Sequence, residues 1–240
     1  QALDTAGAVA GPLLALVLMA SFANDFRLVF WVAVVPALVA VAILVFAVRE
    51  PVRAQPLVPQ RTPIRWSELG QIGGPFWAVV VVAAVLTLAR FSEAFLILRA
   101  VDLGLPIALA PAVLVVMNVA YSASAYPIGV LSDHYDRRLI LGMGFVVLIL
   151  ADLILAFASG MWSVAIGIGL WGLHMGMTQG LLAALVADTA PSARRGTAFG
   201  FFHLASGAAL LLASLIAGVS WHENWAQVRF HLEPQFQTLQ

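Results

Sequence analysis

Several runs of roughly 20 apolar residues fill most of the chain, and no other feature restricts its possible folds so severely. They are about Ala2–Phe22, Leu28–Val48, Phe76–Leu98, Leu105–Val130, Leu139–Ala158, Trp162–Ala187 and Ala198–Val219. A helix rises about 1.5 Å per residue, so about 20 residues cross the hydrocarbon core of a bilayer. Only helices and closed barrels satisfy their backbone polar groups there. None of the runs alternates apolar and polar residues as a barrel strand does, and each is far too long for one. The expected fold class is all-α: a polytopic transmembrane helix bundle with about seven spanning helices. Composition agrees, because 62% of the 240 residues are hydrophobic and only 10% are charged. A water-facing surface ordinarily needs about 25% charged residues, so the partner of this surface is the lipid bilayer.

Arginine placement tests the span map independently. The loop that follows the second span holds Arg49, Arg53, Arg61 and Arg65; later loops on the same side hold Arg137 with Arg138, and Arg194 with Arg195. The alternate loops hold only Arg27 and Arg99. Cytoplasmic loops carry the excess of positive charge, so the N-terminus is expected in the cytoplasm and the last span is expected to end outside, in a bacterial inner membrane. Strict alternation would not survive a missed or false span.

The stretch from Arg49 to Pro75 is the one long connection, rich in proline and arginine. It divides residues 1–48, read as the last two helices of an N-terminal bundle, from 76–219, read as five helices of a C-terminal bundle. Residues 220–240 are polar, lack an apolar window and read as a non-spanning tail. The chain starts Gln1-Ala2-Leu3-Asp4 without a basic region before the apolar run, which is not a signal peptide and reads as a chain entered part-way.

Composition also excludes functions. The formal net charge is zero, which argues against a nucleic-acid partner. There is no cysteine, so disulfides and thiolate metal sites are out. No H-E-x-x-H, G-x-S-x-G or P-loop pattern occurs. No enzyme activity, metal or cofactor is expected.

One loop carries a family signature. Gly129-Val130-Leu131-Ser132-Asp133-His134-Tyr135-Asp136-Arg137-Arg138 resembles the G-x-L-[SA]-D-x-x-G-R-[RK] motif of the major facilitator superfamily, with Asp136 where the family has glycine. Gly7-Ala8-Val9-Ala10-Gly11-Pro12 is similar to the G-x-x-x-G-P core in the fifth helix of that family's antiporters. The segment from Asp188 to Gly200 looks like the family's entry to the eleventh helix. The resemblance covers about residues 1–219 and implies helices five to eleven of a twelve-helix transporter, whose missing helices would be its partners. It implies secondary transport of a small molecule by alternating access, with efflux coupled to H+. It also implies a conformational latch at Gly129, Asp133, Arg137 and Arg138, in which Asp133 accepts hydrogen bonds near the start of the first helix.

The spans themselves offer further candidates. Gly7, Gly11 and Pro12 form a close-packing segment with a permitted bend. Arg90 and Glu93 lie three apart on one face of the third span, where charge is expensive. They are either a mutual ion pair or a coupling carboxylate with its partner, and the order Arg before Glu is the weaker one for a helical pair. Asn118 and Tyr121 in the fourth span, and His174 and Gln179 in the sixth, are candidate transport residues or satisfied interhelical hydrogen bonds. Asp152 stands in the fifth span, and Trp171, Met175 and Met177 flank His174 as an adaptable apolar wall. The alternative to a permease is a truncated, non-transporting remnant or accessory membrane subunit.

Overall fold

The computed structural model describes residues 2–22, 25–48 and 73–236, the side chains at 2–6, 26, 193 and 221–236 excepted. Most of the expected linker, residues 49–72, therefore lies outside the described residues. The helices are α1 (Ala2–Ser21), α2 (Phe26–Phe46), α3 (Gly74–Ala89), α4 (Ala94–Asp102), α5 (Ala110–His134), α6 (Arg137–Ala156), α7 (Met161–Thr189) and α8 (Arg195–Phe236). Short 3-10 turns, Ile107–Leu109 and Ser192–Arg194, lead into α5 and α8. No strand occurs among the described residues. Six stretches are long and apolar enough to cross a membrane, α3 and α4 counting together as Gly74–Asp102, and α1 adds the shorter apolar segment Gly7–Ser21. The chain is an all-α polytopic membrane protein.

Local chemistry starts and stops these helices. Asp25 caps α2 by accepting from the backbone N–H groups of Arg27 and Leu28 at 2.9 and 3.3 Å. Asp136 does the same for α6 through the Arg138 N–H at 2.9 Å, so the residue at the family's glycine position works as an N-cap. Its φ of −61° is open to any residue. Past the end of α4, Gly104 takes φ 99°, a conformation that suits a residue without Cβ, and the chain reverses there into α5.

Helix α7 is the centre of the bundle. It packs most extensively against α5 on one side and α6 on the other, while α3 packs on α8 and α1 leans on α5. The core runs along it through Val164, Ile168, Trp171, Met175, Leu182 and Val186. Close approach explains its glycines: a Cβ at Gly172 would collide with the Met117 carbonyl of α5, and one at Gly176 with Ser124. Gly7 and Gly11 behave differently, since nothing described lies within 4 Å of where their Cβ atoms would be. The packing expected of that pair has no partner among the described residues.

Two readings of the sequence change here. The third span is two helices, broken over Arg90–Glu93, so these residues do not share one helical face. And α8 does not end with its apolar window at Ser220 but continues as helix to Phe236.

Candidate functional site

The break between α3 and α4 places charge on two helix ends. Arg90 is the C-cap of α3, and Glu93 is the N-cap residue of α4. A helix C-terminus carries partial negative charge and an N-terminus partial positive charge. Arg before Glu, the weaker order within one continuous helix, is the favourable order across two abutting helix ends. That order, with Ser92 between, was the signal for the break that helical spacing hid. The two side chains are half-buried and close enough to interact electrostatically. They do not close an ion pair, since the described pairs within 4 Å are Arg99–Asp102 and Arg137–Asp188.

Arg90 instead lies over an aromatic face, its guanidinium carbon 5.7 Å from the centre of the Trp171 ring. A cation over an indole is stabilised by the ring quadrupole. Trp171 is fully buried, tilts against Phe91 at 6.2 Å and meets the edge of His174 at 6.5 Å. His174 is also fully buried, and its Nδ1 lies 2.8 Å from the Gly144 carbonyl oxygen of α6. A carbonyl only accepts, so in the neutral ring the proton sits on Nδ1 and Nε2 carries a bare lone pair. That Nε2 has no described hydrogen-bond partner, and neither has Ser122 Oγ, while the Trp171 indole and the Asp152 carboxyl group face each other. Buried polar atoms are nearly always paired, which sets His174 Nε2 and Ser122 Oγ apart from the rest of the core.

Two cavities lie toward opposite ends of the bundle. One, of about 770 Å³, opens at the arginine-rich end and is lined by Val9 of α1, by Tyr121, Ser122 and Asp133 of α5, by Arg137, and by Gly176 of α7. The other, about 430 Å³, lies toward the opposite end, between Phe91, Phe95, Arg99, Asp152, Ala217 and Ser220.

Arg137 is bonded to Asp188 near the end of α7, a partner that the loop motif alone did not indicate. Gly129, Asp133 and Arg137 line the larger cavity, whereas Arg138 contributes its backbone N–H to Asp136. The side chains at the start of α1, which the latch would serve, lie outside the described residues. Tyr121 lines the same cavity; Asn118 donates to the Leu114 carbonyl of its own helix at 2.9 Å, and Gln179 is half-buried outside the lining. No cluster of three or more acidic or histidine side chains able to hold a metal occurs among the described residues.

At the opposite end Arg99 fastens α4 to α6. Its Nε donates to the Leu155 carbonyl at 3.1 Å, Nη2 to Ala158 at 3.0 Å and Ala156 at 3.4 Å, and Nη1 to Asp102 at 3.0 Å. A guanidinium whose donors meet the last carbonyls of a helix satisfies both orphan acceptors and dipole.

The Major Facilitator Superfamily model matches residues 1–214. An uncharacterised MFS-type transporter of Methanocaldococcus jannaschii is 29% identical over 227 residues, which is 92% of this chain and 56% of that protein. An uncharacterised protein of Mycobacterium tuberculosis is 28% identical over 217 residues, covering 87% of this chain and 52% of its own length. The class B tetracycline resistance protein of Escherichia coli is 32% identical over 91 residues, 38% of this chain and 22% of the relative. The chain thus spans about half the length of the first two relatives. No solved structure matches.

Proposed function

The chain belongs to the major facilitator superfamily, and from that premise we propose that it forms the larger part of a permease that exports a small amphipathic molecule in exchange for protons. The arginine-rich end faces the cytoplasm in this reading, as positive loop charge favours, in a bacterial inner membrane. Helices outside the present chain complete both bundles. The observation that supports the reading is the pair of cavities toward opposite ends of the bundle, beside a span broken by charged residues. Discontinuous helices at a transporter's core supply ion and substrate sites from their exposed ends. Alternating access opens a central path to one side at a time.

Each candidate takes a role. Tyr121 and the Met175–Met177 wall receive an apolar or aromatic substrate entering from the cytoplasm. Glu93 binds the coupled proton. As a carboxylate it is attracted to the positive end of α4 and to Arg90 without bonding to either; once neutral it loses that attraction, which changes how α3 and α4 meet. Arg137 and Asp188, with Asp133, hold the cytoplasmic ends of α6 and α7 in one state and part in the other. The relative conferring tetracycline resistance supports the outward direction.

The test uses the full-length parent in proteoliposomes, with a pH gradient as the driving force and tetracycline as the first probe in a panel of amphipathic compounds. Proton-driven movement of at least one compound is expected. Glu93→Gln should abolish coupling while leaving substrate exchange intact, and Asp133→Asn should lower transport more than folded yield. Full coupling in Glu93→Gln removes that residue from the mechanism, and a parent inert toward the whole panel returns the protein to the accessory-subunit reading.

A further inference from the structure

We infer that Ser122 sets the substrate class of the larger cavity: an uncharged amphipathic molecule recognised through one hydrogen-bonding group, a hydroxyl or an amide. This deepens the permease reading and rests on it for the use of the cavity, while the residue is singled out by its surroundings. Ser122 lines the cavity of about 770 Å³, yet its Oγ is shut off from water and has no hydrogen-bond partner. Nearby span hydroxyls behave otherwise. Ser124, two residues on in α5, donates to the Ala120 and Tyr121 carbonyls at 2.8 and 3.0 Å. Thr87, Thr178 and Thr189 each bond a carbonyl one turn back in their own helices, at 2.7, 2.9 and 2.7 Å. Such back-bonding is the usual use of a hydroxyl inside a helix, and Ser122 does not make it.

A second polar group of the same turn lacks its usual partner. Pro127 stands inside α5 and has no N–H to give to the Ala123 carbonyl four residues earlier. An O–H group and a C=O group therefore adjoin at residues 122 and 123 without the partners that the helical repeat supplies. A site whose polar groups are paired by the right ligand rejects an analogue that leaves them unpaired. The serine side chain has three staggered positions, so a turn about one bond carries the hydroxyl from its closed position toward the cavity that the residue lines.

Charge decides the class. The wall includes Val9, Tyr121, Ala125, Ile128 and Leu181, none of them ionised. The charged lining residues are Asp133 and Arg137. Asp133 lies three turns further along α5, roughly 16 Å from Ser122 at 1.5 Å per residue, and Arg137 is already bonded to Asp188. An ion seated at Ser122 would leave water without a counter-charge, which is costly. A neutral molecule meets no such penalty, and its apolar body has the Tyr121 ring and the aliphatic wall to rest on. The volume suits a small molecule, since such sites run to about 300–1,000 Å³.

Three naphthalene probes of similar size test this: 1-naphthol, 1-methylnaphthalene, in which a methyl group replaces the hydroxyl, and the cation 1-naphthylmethylammonium. Binding to the full-length protein in nanodiscs is measured by equilibrium dialysis at neutral pH, with empty nanodiscs as the blank. The wild type is expected to bind naphthol about tenfold more tightly than methylnaphthalene, the worth of one hydrogen bond, and to bind the cation most weakly. Ser122→Ala should bring naphthol down to the affinity of methylnaphthalene and leave methylnaphthalene unchanged. Ser122→Thr keeps a hydroxyl and should keep the preference. Ser122→Gly repeats the removal should Ser122→Ala not fold. No binding of naphthol, equal binding of naphthol and methylnaphthalene, a preference that survives loss of the hydroxyl, or tightest binding of the cation overturns the assignment. A Ser122-dependent preference in a protein that moves no compound under a pH gradient would sink the exporter reading and leave the assignment standing. Proton-driven transport with binding indifferent to Ser122 would do the reverse.

Discussion

Helices α2 and α7 are both apolar and of spanning length, yet they occupy opposite extremes of the fold. From Leu28 to Val48 the sequence of α2 holds no charge, and none of its span is buried. Helix α7 carries His174, Thr178, Gln179 and several glycines, and more than half of its most apolar window is buried. In water the more hydrophobic helix would be the interior one. In a bilayer the lipid takes the apolar surface, while helices that meet helices need small residues for approach and polar groups for cohesion. Within this chain α2 has little beside α1 to pack against, whereas α7 is covered on several sides where its small and polar residues lie.

Substitutions at matched glycines should break the symmetry most strongly. Gly176→Leu drives a side chain into Ser124 and the Tyr121 carbonyl, so we expect loss of folded yield, or a cost above the roughly 1–3 kcal/mol typical of overpacking. Gly11→Leu should leave thermal stability of the purified chain within about 0.5 kcal/mol, as at ordinary surface sites. Equal effects at both positions would show that α1 packs as tightly as α7.

Next in size is Arg99→Ala, which strips the end of α6 of its guanidinium and should cost about 1–3 kcal/mol, since bonds to a charged donor are lost. Hydrogen exchange should rise at residues 153–158 and in α4 and nowhere else. His174→Leu follows. Interhelical hydrogen bonds in membranes are worth about 0.6 kcal/mol on average, so a small loss of stability is expected, with a larger loss of proton coupling measured by vesicle flux. A drop in stability alone would make His174 a packing residue. Smallest is Asp188→Asn. The pair with Arg137 is well exposed on the aspartate side, at 61%, so its thermal effect should stay within about 0–1 kcal/mol, and its influence should appear in transport rate.

How far the sequence could be read differs between these regions for the same physical reason. Span positions, helix content and alternating loop charge were legible because bilayer thickness and backbone satisfaction act on composition and length. The caps at Asp25 and Asp136 are likewise local. The interruption at Arg90–Glu93 escaped, because an apolar run of suitable length looks the same whether or not the helix continues through it. Only the reversed charge order hinted otherwise. Gly7 and Gly11 attracted notice as a spacing pattern, while Gly172 and Gly176, with the same spacing, are the pair that meets another helix. Spacing names a face, and what lies opposite depends on a segment far away in the chain.

The candidate site divides along that line. Residues on one loop or turn, such as Gly129, Asp133 and Arg137, were readable as a group. Asp188 completes an ion pair 51 positions from Arg137, and Asp152 meets Trp171 from another helix, so neither stood out from ordinary span residues. By itself the sequence determined that the chain is a membrane-spanning helical bundle of this family, since those properties are set by runs, loops and local motifs. The tertiary structure decided which helix is central, where a span breaks and which buried polar atoms stay unpaired. Those depend on distances between helices, which no single segment encodes.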